Sequence, residues 1–88
     1  MNEKPVELKF PCDFPIKIIG NHHDRFRAEM IAILLKHVPD LSLDTITTRE
    51  SNGGKYLSVS AQFTAQSRAQ VDDLYRELTA HADVKWIL

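Results

Sequence analysis

The sequence holds one cysteine and three glycines among 88 residues. A single thiol closes no intrachain disulfide, so the fold must rest on a packed core. No stretch approaches the roughly 18 apolar residues of a membrane-spanning helix. The opening Met1-Asn2-Glu3-Lys4-Pro5 has no apolar signal core. These absences lead us to expect a cytoplasmic protein with no membrane partner. There is no basic run, and 11 Lys and Arg against 12 Asp and Glu leave a net charge of −1. Phosphate neutralisation supplies most nucleic-acid affinity, so this balance argues against a dedicated nucleic-acid binder. No phosphate-binding loop, dinucleotide glycine pattern or nucleophile elbow is present. We expect no enzyme activity and no cofactor.

What the sequence does hold is one domain's worth of patterned residues. Apolar content of 43% and charged content of 26% are ordinary for a globular chain. Residues 1–9 read as a flexible N-terminal arm, with Val6, Leu8 and Phe10 able to lie on the body, and residues 10–88 as one domain. The clearest signal is Lys55 to Ala65. Leu57, Val59, Ala61, Phe63 and Ala65 alternate with Tyr56, Ser58, Ser60, Gln62 and Thr64, the period of a half-buried strand. Phe63 is the expected core anchor. Asn52-Gly53-Gly54 supplies residues that tolerate positive φ, as a tight reversal requires. The preceding Thr45 to Arg49 is β-branched but alternates poorly, which predicts an edge strand, bulged near Leu43-Asp44.

Ahead of the hairpin, Ile16 to Ile19 predicts a strand ended by Gly20, with Phe14, Ile16 and Ile18 facing the core. A helix should follow to about Val38, capped by Asn21 or Asp24 and stopped by Pro39. Its apolar stripe is wide: Phe26, Met30, Ile33, Leu34 and His37, broadened by Ile31, Leu35 and Val38. A subunit contact and packing against the N-terminal arm account for that width equally well. After the hairpin, Ser67 to Gln70 has capping-box form. Val71, Leu74, Tyr75, Leu78 and Ala82 then follow at helical spacing, with Asp72 and Arg76 as an i,i+4 pair on the wet side. Val84 to Leu88 closes the chain as a strand whose parity turns Trp86 to the core. Strand, helix, strand, strand, helix, strand predicts an α+β fold: a ferredoxin-like βαββαβ sandwich with a four-stranded antiparallel sheet, order 4-1-3-2, and two helices on one face.

On this reading the open sheet face carries Lys17, Ile19, Tyr56, Ser58, Ser60, Gln62, Lys85 and Ile87. Apolar groups among small polar ones suit a modest protein interface, and a solvated face is the bland alternative. Base stacking by Tyr56 is a minor RNA-binding reading, because Ser58 and Ser60 cannot stack. His22-His23 beside Asp24, with His37 and His81 elsewhere, lacks metal-ligand spacing, so no metal is expected. Cys12 has no basic neighbour in sequence and reads as inert packing. Asp13 and Asp24 have nothing that places them in one acid–base pocket.

Several stretches resemble one family. Phe10-Pro11-Cys12-Asp13-Phe14, Ile16-Lys17-Ile18-Ile19-Gly20, His37-Val38-Pro39, Gly54-Lys55-Tyr56-Leu57-Ser58-Val59-Ser60 and Val71-Asp72-Asp73-Leu74-Tyr75-Arg76-Glu77-Leu78 are similar to the YbeD-like family of small bacterial proteins of unassigned function. The resemblance also takes in the strand to Leu88, and it spans nearly the whole chain from Phe10 onward. It implies a ferredoxin-like fold close to the ACT regulatory domains that bind amino acids, and it brings no catalytic residues. By that analogy Gly20, Asn21 and Asp24, in the loop entering the first helix, are candidate ligand contacts, with the helix N-terminus offering N–H donors. The loop lacks the aspartate-then-glycine pattern typical of ACT ligand loops, and a plain helix cap is its bland reading. The leading expectation is a binding or regulatory module that acts on a protein partner. A small metabolite sensor is the alternative, and a homodimer is compatible with either.

Overall fold

A computed structural model describes residues 9–88. The expected arm, with Val6 and Leu8, lies outside the described residues apart from Lys9. The elements are β1 (Cys12–Asn21), α1 (Phe26–His37), β2 (Thr47–Glu50), β3 (Tyr56–Ala65), α2 (Arg68–Ala80) and β4 (Val84–Ile87). Short 3-10 turns at Leu43–Thr45 and Asn52–Gly54 bracket β2. All pairings are antiparallel and the sheet order is β2-β3-β1-β4, the predicted order read from its other edge.

Alternation places Ile16 and Ile18 of β1 and Leu57, Val59, Ala61, Phe63 and Ala65 of β3 on one face. Phe26, Met30, Ile33 and Leu34 of α1 and Val71, Leu74 and Leu78 of α2 close over it. Phe14 packs on Phe63 at 5.5 Å and meets the Tyr75 ring edge-on at 6.4 Å. The partly buried Tyr75 hydroxyl pays for that position with a pKa raised by desolvation. The width of the α1 stripe is used within the domain, since Ile31 and Leu35 also pack on the core. The Asn52–Gly54 reversal uses positive φ at Gly53 and Gly54, at 83° and 72°.

The first strand is longer than its sequence pattern. It begins at Cys12 and passes through Pro15 and Gly20. Lys17 exchanges both backbone hydrogen bonds with Leu88, so its N–H points toward β4. Pro15, two residues earlier, turns its nitrogen the same way, beyond the reach of β4, where no ladder donor is needed. Gly20 does not end the strand. It is buried, and a Cβ there would strike the Phe26 ring at 2.5 Å and collide with the Asp83 carbonyl.

Neither Asn21 nor Asp24 caps α1. Asn21 is still in β1, Asp24 is exposed, and Arg25 holds the cap position without a side-chain bond. The bulge expected near Leu43-Asp44 is a 3-10 turn, and β2 starts two residues later than the pattern indicated. On α2, Asp72 pairs with Arg68 and Arg76 with Asp73, not with each other.

The largest correction is in β4. Ile18 faces Ile87 and Ile19 faces Trp86, but Gly20 faces Val84, so Lys85 is an extra residue at a bulge. One inserted residue reverses side-chain parity. Ile87 therefore packs against the core, and Trp86 stands on the open face with 51% of its surface exposed.

Candidate functional site

The open sheet face is built by the positions left over when the core is filled. Its register aligns Lys17 with Ser60 and Thr47, and Ile19 with Ser58, Arg49 and Trp86. Tyr56 opens β3 across from Asn21. The Tyr56 and Trp86 rings meet edge to face, 5.5 Å between centroids at 72°. Aromatic pairs prefer this geometry because a positive ring edge meets a negative ring face. The Lys55 ammonium sits 5.4 Å from the Tyr56 centroid. Beside the pair, Lys17, Ile19, Arg49, Glu50, Tyr56 and Ser58 line a shallow hollow of about 210 Å³.

Lys17, Ile19, Tyr56, Ser58 and Ser60 thus share one face, as their parity indicated. Lys85 is exposed at the bulge, and Ile87 is not on this face. Sequence reasoning missed Trp86 and Arg49. Nothing local signals the bulge, whereas Arg49 becomes legible once its pairing with Ser58 is known.

The loop after β1 is built differently. Gly20 lies beneath Phe26, and Asn21 donates its amide to Asp83 Oδ1 at 3.1 Å. The exposed Asp24 takes no part in that contact. The first turn of α1 also has internal partners: the Phe26 N–H donates to the His23 carbonyl and the Glu29 N–H to that of Arg25. Gly20 and Asn21 are thus engaged within the domain, and Asp24 is exposed.

Asn21 belongs instead to a clasp that sequence spacing does not reveal. His23 Nε2 lies 2.9 Å from Asp83 Oδ2, and His81 Nε2 lies 3.0 Å from Glu29 Oε1. The metal-capable atoms of His23, Glu29 and Asp83 fall within 4.8 Å of one another. Backbone donors decide what this cluster can do. The Arg25 N–H points at His23 Nδ1 at 3.2 Å, and the Asp83 N–H at His81 Nδ1 at 3.1 Å. A backbone N–H can only donate, so each Nδ1 accepts and each Nε2 carries the proton given to its carboxylate. A metal at Nε2 would displace that proton and set Nδ1–H against a backbone N–H. Both rings are thus spent as hydrogen-bond bridges, and neither offers a lone pair as a general base. The clasp ties the loop before α1 to the start of β4. Asp83 is held below the usual carboxylate range by the Asn21 amide first and His23 second.

The other two histidines are also engaged. His37 lies 2.7 Å from Glu77, whose carboxyl is lowered by His37 and then by Lys36. His22 shares a 3.1 Å hydrogen bond with the Gly54 carbonyl oxygen, which leaves its Nε2 3.9 Å from Glu50. Among the described residues, no helix is long and apolar enough to cross a membrane.

A family model described as a protein of unknown function (DUF493) matches residues 6–88. A UPF0250 protein of Chromobacterium violaceum is 40% identical over 87 residues, covering 99% of this chain and 98% of the relative. A UPF0250 protein of Janthinobacterium sp. is 41% identical over 81 residues, with 92% and 89% covered. Among solved structures, protein HP0495 from H. pylori aligns with a TM-score of 0.71 at 12% identity, over 99% of this chain and 91% of that one. The ACT domain of GTP pyrophosphokinase of Chlorobium tepidum aligns at 0.66 and 15% identity, over 86% and 84%. At such identities the structural likenesses concern the fold alone.

Proposed function

The chain belongs to the DUF493 family of UPF0250 proteins, YbeD-like in sequence and ACT-like in fold, and from that premise we propose that it is a small cytoplasmic binding module that acts on a protein partner through its open sheet face. The observation that carries this reading is Trp86, half exposed on that face against Tyr56 and across from Ile19. A wet indole is unusual on a domain surface, and Trp and Tyr recur as interface anchors because they give large contact area at small entropy cost. The module is read as non-catalytic, since the His23 and His81 rings are both bridged on each nitrogen.

Photo-crosslinking in bacterial cells tests the face directly. A crosslinker replacing Ser58, at the centre of the face, should capture a protein that the same group at Asp73 on α2 does not. Tyr56→Ala with Ile19→Ser should abolish that capture. Identical captures from Ser58 and Asp73, or none from Ser58, would sink the reading.

A second reading, a small-metabolite sensor, draws on the likeness to the ACT domain of a GTP pyrophosphokinase. A ligand at 100 times its Kd adds about 2.7 kcal/mol of stability. A thermal-shift screen of amino acids and nucleotides at millimolar concentration should therefore reveal one, and a blank screen removes this reading.

A further inference from the structure

We infer that the open sheet face takes an acidic segment of its partner, with carboxylates set against Lys17 and Arg49 and an apolar side chain against Trp86 and Ile19. The inference rests on the interface reading above and specifies what that interface recognises.

Its basis is how the charges are distributed. On the helix layer, Arg25, Lys36, Arg68 and Arg76 each have a carboxylate within 3.9 Å, 3.1 Å, 3.7 Å and 2.8 Å respectively. Of the cations in or capping the two helices, Arg27 alone has none among the described residues. On and around the open face the pattern reverses. Lys17, Arg49, Lys55 and Lys85 are all exposed, and none is in an ion pair among the described residues. Glu50, which also lines the hollow, has its side chain 62% exposed, and His22 Nε2 lies 3.9 Å from its carboxylate. Asp13 shares the parity of the face but lies four residues from Lys17, about 13 Å along the strand. The chain as a whole is slightly negative, so these cations are a local excess.

Cations beside an apolar wall form a recognition surface. The wall excludes water and strengthens the pull on an incoming carboxylate, while the charges steer its approach. The observations favour protein over nucleic acid. Tyr56 already has Lys55 over its ring and Trp86 against it, and central β3 continues with Ser58 and Ser60, so the face has no row of free stacking surfaces.

Trp86 is the sole tryptophan, so its emission reports occupancy of the face. The full chain is titrated with a synthetic Glu-Leu peptide, its Gln-Leu isostere and oligouridylate. The acidic peptide should shift the Trp86 emission and weaken as salt is raised. It should bind at least about tenfold tighter than the isostere, and lose about tenfold in a Lys17→Glu, Arg49→Glu variant. Circular dichroism and urea unfolding check that the variant is folded, and Lys17→Gln, Arg49→Gln gives a milder second test. Equal binding of acidic peptide and isostere, tighter binding of oligouridylate, or no shift with millimolar acidic peptide would each overturn the inference. The Ser58 crosslink separates this failure from that of the interface: a captured partner whose crosslinked segment is not acidic leaves the interface standing and removes the acidic specificity.

Discussion

At the residue scale, single side chains are fixed by contacts distant in sequence. Gly20 is required because Phe26 and the Asp83 carbonyl occupy the space of a Cβ. Gly20→Ala should cost about 3 kcal/mol, the upper end of ordinary overpacking, read as a lowered urea midpoint. Asp83 illustrates a second dependence. Its carboxyl is held below the ordinary range by Asn21 and His23. A depressed folded-state pKa contributes stability that is present above the unfolded value and is lost as pH falls through the folded one. Stability should therefore fall between about pH 4 and more acidic values, and Asp83→Asn should flatten that limb. Unfolding midpoints of both proteins across the range check this, and parallel curves would refute it.

At the element scale, α2 is secured by Gln70 as much as by its cap. Ser67 accepts the Gln70 N–H at 3.1 Å, as the capping-box pattern indicated. The return contact goes elsewhere: Gln70 Oε1 accepts from the Gln66 N–H at 2.7 Å, and Nε2 donates to the His37 carbonyl at 2.9 Å. This one side chain joins the start of α2 to the end of α1. Ser67→Ala should cost about 1 kcal/mol. Gln70→Ala, which removes two hydrogen bonds, should cost about 1–2 kcal/mol, and urea unfolding ranks the two. The β4 bulge is the second feature of this scale. It predicts that native Trp86 emission is quenched by acrylamide nearly as readily as in the unfolded chain. Strong protection would restore the core-facing strand.

At the scale of the whole molecule, the helix layer pairs all its cations but Arg27 with carboxylates, whereas Lys17 and Arg49 of the open face have no ion-pair partner among the described residues. Groups without partners contribute little to folding, so Lys17→Glu with Arg49→Glu should leave stability within about 0.5 kcal/mol while changing what the face binds. Thermal and urea unfolding of that variant, beside its peptide titration, separate recognition from stability. The sequence by itself determined the element order, the sheet order and most of the open face. Alternation at Leu57 to Ala65 and helical spacing at Val71 to Leu78 are local consequences of strand and helix geometry, and residues of one parity share a face wherever register is unbroken. Only the tertiary structure decided the side on which Trp86 stands, why Gly20 lies inside a strand, and that His23 meets Asp83 and His81 meets Glu29. The physical reason is common to all three. A bulge, a close approach and a hydrogen-bonded clasp each bring β1, its following loop or α1 against residues between His81 and Trp86, and no local period encodes where such partners meet.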